Sequence, residues 1–487
     1  MDELANSSPL LGERRFGAMD QARFAALSGD RNPLHLDPVA ARRTQAGAPA
    51  VHGMHAVLWG LETLAKAGLW TERFGTLRVR FRRFISLDRD VRLDLVRPGV
   101  PLRVVLVADG ATTTTLELAG GPCAPAGPLL SGRDVRVQTM PLELAPSDLA
   151  GRSGCIAAPP LSGCIAYFPH LAARIGAGRV ASLVRLSALV GMVCPGLYSI
   201  FDGFEIRLTP DNLGSALSFR VREVDERFRM VRLEVAGGGI AGVLTALMRH
   251  PPVAQPSLAA VAPWVRPGEF AAVTALVIGG SRGLGAVTAR LIAAGGGRVA
   301  ITYAQGEQDA RGVAADIGPR ACRWFQYDAR APAAPQLARL GWMANQLFYF
   351  ATPRIFRQKP GVYARSLFDE FRDIYVDGFA AASTALQAQT GRPLAVFYPS
   401  SVAVAERPPG MTEYAMAKAA GEILCADLQQ SRPGLWILVA RLPRLLTDQT
   451  AAASVMPGAA GAEGQSGEDA VRTMLPILRA MRAGCHG

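Results

Sequence analysis

Residues 27–41 read LSGDRNPLHLDPVAA, and residues 51–55 read VHGMH. Gly29 and Pro33 favour a tight turn within the first stretch. The second stretch begins an apolar helical pattern over about 52–67, and four segments with strand-like alternation follow it. These segments are LRVRFRRFISL (77–87), VRLDLVR (91–97), LRVVLVA (102–108) and TTTLELA (113–119). The order predicts one central helix wrapped by an antiparallel sheet.

The same plan recurs farther along the chain. A helical stretch over 169–192 precedes four more alternating segments, and a Pro/Gly-rich stretch at 120–132 separates the two copies. The segments are IFDGFEIRL (200–208), ALSFRVREV (216–224), RMVRLEVA (229–236) and AGVLTALM (241–248). A helix wrapped by antiparallel strands is the hot-dog pattern, so 1–125 and 126–252 are predicted to be two hot-dog units side by side. Duplication covers a sheet edge that one unit would expose.

Asp30 and His35 lie five residues apart on the predicted turn, with Asn32 between them. Adding or removing water next to a thioester carbonyl needs a paired acid and base, and a donor for the enolate-like oxygen. Gly53 begins the helix, and a helix N-terminus offers N–H groups for that oxygen. The alternative is a capped loop with a structural imidazole. The chain has only four asparagines and six histidines, which favours the catalytic interpretation.

The stretches LSGDRNPLHLDPVAA and VHGMH resemble the MaoC-like, R-specific enoyl-CoA hydratase family over about 15–125. The resemblance implies that Asp30 and His35 form a catalytic dyad and that Gly53 supplies the oxyanion N–H. It also implies that Asn32 supports the loop. Which member of the dyad gives the proton depends on the direction of the reaction.

The second copy lacks this motif. His170 and Asp202 are too far from one another in the sequence, and from any comparable turn, to form a second dyad. The second copy is therefore predicted to be a non-catalytic partner that shapes the acyl tunnel.

The pattern of predicted secondary structure changes after a second Pro/Gly-rich stretch. Residues 253–270 of this stretch are predicted to be a linker. Strand-like and helical segments then alternate, which predicts a doubly wound, Rossmann-type parallel sheet over 271–450. The strand-like segments are TALVIGG (274–280), RVAITYA (298–304), RWFQYD (323–328), QLFYFA (346–351), PLAVFYPSS (393–401) and LWILVARL (435–442). Residues 451–487 are predicted to be a tail with one helix over 468–483.

The first of these strands runs into a glycine-rich loop and then a helix. The candidate cofactor-binding residues of this loop are Gly279, Ser281, Arg282, Gly283, Leu284 and Gly285. The glycines allow a tight turn and let backbone N–H groups approach a pyrophosphate. The second strand ends without an acid for a ribose 2′-hydroxyl, and Arg282 suits a 2′-phosphate. NADPH is therefore predicted rather than NADH.

Ser401, Tyr414 and Lys418 are the candidate catalytic residues of this segment. Tyr414 and Lys418 are one helical turn apart, so the ammonium is expected to lower the pKa of the phenol and to hold the nicotinamide ribose. Tyr414 would then pass a proton to a carbonyl oxygen that Ser401 also hydrogen-bonds. The alternative is a surface i,i+4 pair, which the presence of only three lysines in the chain disfavours.

These residues resemble the short-chain dehydrogenase/reductase family over about 272–450. The resemblance implies that Asp328 contacts the adenine and that Pro443 and Thr447 meet the nicotinamide amide. Ala351 keeps its place in the family's Asn-Asn-Ala-Gly motif.

Two departures from that family stand out. The motif after the fourth strand reads Tyr349-Phe350-Ala351-Thr352, and Tyr375 stands where the asparagine of the catalytic tetrad is expected. In the family, that asparagine supports a water relay to the lysine. Its replacement predicts either slower proton resupply or a domain that binds cofactor with altered chemistry.

Bulk composition narrows the class of protein. The 487-residue chain is 49% hydrophobic with a net charge of +12, and no apolar run approaches the ~18 residues of a membrane helix. The start, MDELANSSPLLGERRF, has no features of a secretion signal. Seven scattered cysteines without metal-ligand spacing suit reduced thiols, so a cytoplasmic location and no metal site are expected. The basic residues are spread along the chain, which disfavours nucleic-acid binding.

The two chemistries together predict a bifunctional enzyme. It would reduce a 3-oxoacyl thioester with NADPH and dehydrate the 3-hydroxyacyl product, in fatty-acid or polyketide-type metabolism, with the intermediate kept close by the fusion. The expected substrate carrier is coenzyme A or an acyl carrier protein, without a membrane partner, and a homodimer is compatible with the sequence. Three alternatives stay open: hydration and oxidation in β-oxidation, a dehydratase with a merely nucleotide-binding or scaffolding second module, and acyl recognition without catalysis.

Overall fold

The computed structural model describes residues 9–71, 74–121, 132–210, 216–252, 254–355, 361–445 and 467–484. The chain divides into two compact units, Met1–Pro251 and Pro252–Gly487, each with its own sheet. No single described helix has both the length and the apolar character that a membrane span needs. The helices Pro169–Ile175 and Ala177–Val193 pass such a test only as a pair, which is bent by 118°.

The described part of the first unit forms a ten-stranded sheet. Its strands are β1 (Leu10–Arg15), β2 (Phe74–Phe81), β3 (Asp90–Arg97), β4 (Leu102–Ala108), β5 (Ala111–Gly120), β6 (Ser153–Ile156), β7 (Ser199–Leu208), β8 (Leu217–Asp225), β9 (Met230–Gly237) and β10 (Ile240–Met248). Its helices are α1 (Ala18–Ser28), α2 (Pro33–Leu36), α3 (Pro38–Ala41), α4 (Gly53–Lys66), α5 (Leu161–Tyr167), α6 (Pro169–Ile175) and α7 (Ala177–Ala188).

The sheet of the first unit consists of two topologically equivalent halves. The strand order is β1-β3-β4-β5-β2-β7-β10-β9-β8-β6, and each neighbouring pair is antiparallel. Strands β6 to β10 occupy the same places in the second half as β1 to β5 in the first. β2 and β7 join the halves, with Leu77 opposite Ile206. The two halves therefore share one strand order, and their assignment as two hot-dog units stays a prediction.

Helices α4 and α7 are the longest helices of their halves. α4 buries Met54, Leu58 and Leu61 at helical spacing, and it contacts α7 within one continuous core. The helix predicted over 52–67 is thus present, and its buried face fixes its position on the sheet.

The helix predicted over 169–192 is divided in the structure. Gly176, at φ +90°, ends α6 with its N–H bonded to the Ala172 carbonyl, and α7 starts directly after it. Residues other than glycine rarely adopt this backbone φ, so glycine at position 176 permits the bend between α6 and α7. α7 continues into a π-helical turn over Leu189–Val193, and this end of the helix lies against the loop that carries Asp30.

The described part of the second unit forms a six-stranded parallel sheet. Its strands are β11 (Thr274–Ile278), β12 (Arg298–Tyr303), β13 (Cys322–Gln326), β14 (Gln346–Tyr349), β15 (Leu394–Ser401) and β16 (Leu435–Leu442). Its helices are α8 (Leu258–Val261), α9 (Gly283–Ala294), α10 (Glu307–Ile317), α11 (Ala333–Leu337), α12 (Arg365–Arg372), α13 (Phe379–Thr390), α14 (Ala403–Glu406), α15 (Thr412–Ser431) and α16 (Gly467–Gly484).

The strand order of the second unit is β13-β12-β11-β14-β15-β16, with every pair parallel. This is the order of a doubly wound Rossmann sheet, whose ligand crevice lies at the carboxyl ends of the strands where the order reverses. One core packs α9, α10 and α16 on one set of sheet residues, and a second core packs α11, α12, α13 and α15 on the other. The expected parallel sheet is confirmed.

Two segments outside the predicted Rossmann range belong to its core. The stretch predicted to be a linker contributes Val261, Val265 and Phe270 to the same cluster as α9. The helix predicted in the tail is present as α16, and it buries Met474 and Met481 against that cluster. Tertiary packing decides which residues are buried. The Pro/Gly-rich sequence around these apolar residues therefore predicted the wrong boundary for the Rossmann-type domain.

Candidate active sites

The loop between α1 and α2 carries Asp30 in the first unit. Gly29 ends α1 at φ +80°, and its N–H bonds to the Ala25 carbonyl. Asn32 then caps α2, because its side-chain oxygen accepts the Leu34 N–H at 3.1 Å. Local chemistry thus brings the acid, the amide and the imidazole of the motif onto one short turn.

Asp30 is almost completely buried. Ser187, on α7 of the second half, donates its hydroxyl to Asp30 Oδ2 at 2.6 Å, and the Asn32 N–H donates to Oδ1 at 3.1 Å. A Cβ added to Gly191 would lie 2.6 Å from Asp30 Oδ1, so the backbone approaches the carboxyl closely there. Burial raises the pKa of Asp30, and it outweighs the opposing effects of His35, Ser187 and the Asn32 N–H. A protonated form of this acid is therefore accessible.

His35 presents one nitrogen to the site. Its Nδ1 lies 2.8 Å from the Ala50 carbonyl oxygen, which only accepts, so Nδ1 carries the hydrogen. In the neutral ring, Nε2 then keeps a lone pair. A carboxylate oxygen of Asp30 and single ring nitrogens of His35 and His52 all lie within 4.8 Å of one another. This arrangement is suited to an acid and base that act on one small substrate group.

His52 lies under the dyad as a structural element. Its Nδ1 is 2.9 Å from Gln21 Oε1 and its Nε2 is 3.1 Å from the Asp30 carbonyl oxygen. Its ring stacks on that of His35, with 3.9 Å between the centroids. Burial, followed by the charge of His35, holds the pKa of His52 far below its ordinary value. Since both His52 nitrogens already face protein oxygens, we assign no metal to this triad.

Gly53 begins α4 beside the dyad. The first backbone bonds of the helix run from the His55 and Ala56 N–H groups to the His52 carbonyl, so the N–H groups of Gly53 and Met54 precede the helical ladder. A Cβ at Gly53 would lie 2.7 Å from Phe81 Cε1, so a larger residue requires Phe81 to move. Gly53 therefore offers a backbone N–H donor that a ligand atom can approach closely.

α7 and its π-helical turn, in the second half of the unit, contact this site through residues that the sequence did not reveal. Asn32 Nδ2 donates to the Gly191 carbonyl at 2.8 Å, and Arg185 Nη1 donates to the Ser28 carbonyl at 2.7 Å. These contacts fix the loop from a segment about 160 residues away, as does Ser187. No local sequence motif predicts that these residues contact the loop. The internal repeat was the one feature of the sequence that indicated a second copy beside the first.

A Ser187→Ala variant is expected to lower hydration of a 2-enoyl thioester about ten- to hundredfold in kcat/KM, because a hydrogen bond to a charged group is lost. Since that bond lowers the pKa of Asp30, its removal moves the acidic limb of the pH profile to higher pH. Ser182→Ala is the matched control, as Ser182 is buried on the same helix and donates to the Gly238 carbonyl. Equal losses in both variants would show a merely structural effect.

In the second unit, the glycine-rich loop joins β11 to α9. Gly279 has φ +78° and Gly283 has φ +56°. A Cβ at Gly279 would lie 2.8 Å from the Phe350 carbonyl, and one at Gly285 would lie 2.4 Å from the Gly279 carbonyl oxygen. The loop therefore needs glycine for its conformation and its close contacts, and it leads into the N-terminus of a twelve-residue helix.

A Gly279→Ala variant is expected to weaken NADPH binding at least about tenfold, because the new methyl group meets backbone and the φ is unfavourable. Binding is measured by titrating NADPH fluorescence. The control is Gly312→Ala on α10, where an added Cβ meets no atom within 4 Å. NADPH affinity equal to that of the unaltered protein in Gly279→Ala would contradict a cofactor site at this loop.

The remaining predicted cofactor positions lie near the carboxyl ends of the strands. Asp328 follows β13, where its N–H donates to Gln336 Oε1 and its Oδ1 accepts the Arg330 N–H. Ala351 follows β14, and Pro443 follows β16. Ser281 lies in the glycine-rich loop before Arg282, and Leu284 lies in the first turn of α9. Thr447 lies outside the described residues.

Ser401, Tyr414 and Lys418 converge at the end of β15 and on the first turns of α15. Ser401 is placed so that its side chain lowers the pKa of Tyr414, and Lys418 Nζ donates to the Pro399 carbonyl at 2.6 Å. Tyr414 and Lys418 are both buried. The interpretation as an exposed surface pair therefore does not fit the structure.

The electrostatic prediction for Tyr414 was wrong. Lys418 Nζ lies 6.0 Å from the centre of the Tyr414 ring, and burial raises the pKa of Tyr414 while the Ser401 hydrogen bond opposes it. Burial also lowers the pKa of Lys418 to about 7, against the attraction of Cys425 and Glu422. A desolvated ammonium at this distance does not outweigh the cost of burying a phenolate.

Comparison with known proteins found a family match and a curated relative. Residues 10–115 match the family described as MaoC like domain. The chain is also 61% identical over 41 residues to the (R)-specific enoyl-CoA hydratase of Aeromonas caviae, a match covering 8% of this chain and 31% of the relative. The chain thus spans about a third of the length of that relative. It contains a MaoC-like domain that is homologous to an R-specific enoyl-CoA hydratase.

Solved structures similar to the chain include members of the short-chain dehydrogenase/reductase family. One described by that family name is 26% identical, with 42% of this chain and 91% of the other covered and a TM-score of 0.36. A short chain dehydrogenase from Burkholderia cenocepacia in complex with NADP is 25% identical, with 42% and 89% covered and a TM-score of 0.36. A putative betaketoacyl-ACP reductase is 24% identical, with 42% and 92% covered and a TM-score of 0.34.

Proposed function

We propose that the chain is a bifunctional acyl-thioester enzyme. The first unit would be a double hot-dog (R)-3-hydroxyacyl dehydratase or enoyl hydratase, and the second an NADPH-dependent 3-oxoacyl reductase of the short-chain dehydrogenase type. The observation that carries the proposal is the buried Asp30 carboxyl beside the His35 ring, held by Ser187 at 2.6 Å. The substrate would be an acyl thioester of coenzyme A or of a carrier protein in the cytoplasm.

In dehydration, His35 Nε2 would take the proton from C2 of the 3-hydroxyacyl thioester. The Gly53 N–H would bind the thioester oxygen as negative charge develops on it. Asp30, whose pKa is raised by burial, would protonate the C3 hydroxyl so that it leaves as water and the C2–C3 double bond forms. Hydration reverses these steps, with the Asp30 carboxylate as base for water.

In reduction, Tyr414 would give its proton to the C3 carbonyl oxygen while Ser401 hydrogen-bonds the same oxygen. Bound NADPH supplies the hydride that the carbonyl carbon receives. The residues present fit such a cofactor, because Gly279 and Gly285 leave no room for a Cβ and the loop leads into the N-terminus of α9. Arg282 would hold the 2′-phosphate, as β12 ends in Tyr303 without an acid.

The proposal is tested with 3-oxoacyl and 2-enoyl substrates, each on coenzyme A and on a carrier protein, with NADPH and with NADH. We expect NADPH oxidation with the 3-oxoacyl substrate and water addition to the 2-enoyl substrate by the same preparation. The proposal would be overturned if the protein catalysed neither reaction with any of these carriers.

A second candidate function rests on one observation. Tyr375 stands where the resemblance implies an asparagine that supports a water relay to the lysine, so the second unit would bind NADPH without reducing a substrate. Tight NADPH binding without turnover, alongside normal hydration, would favour this function. NADPH oxidation that depends on a 3-oxoacyl thioester would eliminate it.

A further inference from the structure

Tyr375 has no role in the reductase mechanism proposed above, yet its side chain contacts residues of the candidate site. It lies in a π-helical segment, Asp373–Gly378, between α12 and α13, and its side chain is 1% exposed. Single π-helical turns within helices occur frequently at functional sites, because they redirect one side chain. Here the redirected ring lies against the lysine of the candidate site.

The ammonium of Lys418 faces the ring of Tyr375. Its Nζ is 3.8 Å from the centre of that ring, compared with 5.0 Å for Tyr398 and 6.0 Å for Tyr414. Within this geometry a cation is attracted by the negative face of an aromatic ring, most strongly when water is excluded. Tyr375 is therefore the closest of the three rings around the charge.

The hydroxyl of Tyr375 points elsewhere. It lies 2.5 Å from Thr352 Oγ1, on the segment after β14, and the ring stacks on Phe371. The two unusual residues of the site, Tyr375 and Thr352, thus bond to each other. The contact fixes the ring plane, and the face that remains is the one toward Lys418.

We propose that Tyr375 is a positioning residue that holds the Lys418 ammonium through the face of its ring. This inference rests on the proposed reductase function and identifies what replaces the expected asparagine in this chain. The buried ammonium has one hydrogen bond to a carbonyl, that of Pro399, and the aromatic face stabilises the charge on another side.

Other titratable and polar groups also lie around Lys418. On its own helix, Glu422 and Cys425 raise the pKa of the ammonium, while burial lowers it to about 7. Glu422 is bound by Arg441 of β16, whose hydrogen bond lowers the carboxyl pKa and keeps the acid ionised. Tyr398 and Pro399 face Lys418 from β15. None of these contacts is made by the Tyr375 side chain.

The test uses the rarity of lysine in the chain. Protein grown with ε-¹³C-lysine has three labelled residues, Lys66, Lys359 and Lys418, and Lys418→Arg assigns the third signal. Titration of that signal gives the ionisation of Lys418 directly, whether or not the enzyme turns over. We expect Tyr375→Leu to move its midpoint down by about one pH unit, because loss of the aromatic face destabilises the charged form.

Tyr375→Phe is the matched control. It keeps the ring and loses only the bond to Thr352, so the Lys418 midpoint should stay where it is in the unaltered protein. The basic limb of the reductase pH profile should shift down with the midpoint in Tyr375→Leu alone. An unchanged midpoint in Tyr375→Leu, or an equal shift in both variants, would overturn the inference.

A measurement on the unaltered protein covers the case in which Tyr375→Leu does not fold. Methylene protons of Lys418 above an aromatic face should resonate upfield of those of Lys66, because of the ring current. Random-coil positions for these protons would also overturn the inference. A protein that lacks reductase activity yet shows the upfield signal and the shifted midpoint would disprove the proposed function and leave the ring contact standing.

Discussion

An Asp30→Asn variant is expected to lose hydration of a 2-enoyl thioester by about a hundred- to ten-thousandfold in kcat/KM, the usual contribution of a positioned acid or base. The amide has nearly the shape of the carboxyl, and its oxygen still accepts the Ser187 hydroxyl. It neither takes a proton from water nor gives one to a leaving hydroxyl. Loss of the reaction without loss of the loop would therefore isolate the chemical role of Asp30.

Two comparisons make this result specific. Asp94→Asn alters another buried carboxylate, which is paired with Arg92 at 3.1 Å on β3, and it should leave hydration unchanged. Reduction of a 3-oxoacyl thioester should persist in Asp30→Asn, because the second unit has its own sheet and core. Hydration of crotonyl-CoA by Asp30→Asn at the rate of the unaltered protein would contradict the dyad.

Features that depend on neighbours in the sequence were predictable. Asp30, Asn32 and His35 lie on one turn because Pro33 and the Asn32 cap form it locally. The glycine loop follows from the same kind of chemistry, since φ and close contacts at Gly279 allow no side chain. The parallel sheet of the second unit also followed from the regular alternation of strands with helices.

Features that depend on distant packing were not predictable. The sequence gives no sign that Ser187 would meet Asp30, because the two residues are 157 positions apart. Gln21 is an ordinary helix residue by pattern, yet its side chain accepts from the backbone N–H of His52 at 2.9 Å. Tyr375 is a visible departure in the sequence, but its contact with Lys418 depends on how the π-helical segment Asp373–Gly378 packs against α15.

The pKa of a side chain is harder to predict from the sequence than its place on a helix, because the pKa also depends on distant packing. The spacing of Tyr414 and Lys418 on one helix gives their approximate separation, which favours a lowered phenol pKa. It does not give burial, which the structure shows to be large for both groups and to act in the opposite direction. Desolvation comes from every element around the pair, so it cannot be read from one helix.

Tyr414→Phe is expected to lower reduction of a 3-oxoacyl thioester by about a hundred- to ten-thousandfold in kcat, because the variant has no proton for the carbonyl oxygen. NADPH affinity should change little, since the glycine loop and α9 are untouched. Burial raises the pKa of Tyr414, so the phenol remains protonated at neutral pH and is available as an acid. Hydration of a 2-enoyl thioester should be retained in full.

The control for this variant is Tyr349→Phe, which removes a buried hydroxyl that donates to the Ile374 carbonyl at 2.8 Å. It carries a similar cost in stability but leaves the Ser401 and Tyr414 pair in place. Stopped-flow oxidation of NADPH under single-turnover conditions separates the chemical step from product release. If Tyr414→Phe and Tyr349→Phe slow that step equally, Tyr414 does not supply the proton, and the second unit would then have to reduce its substrate by another route or only bind the cofactor.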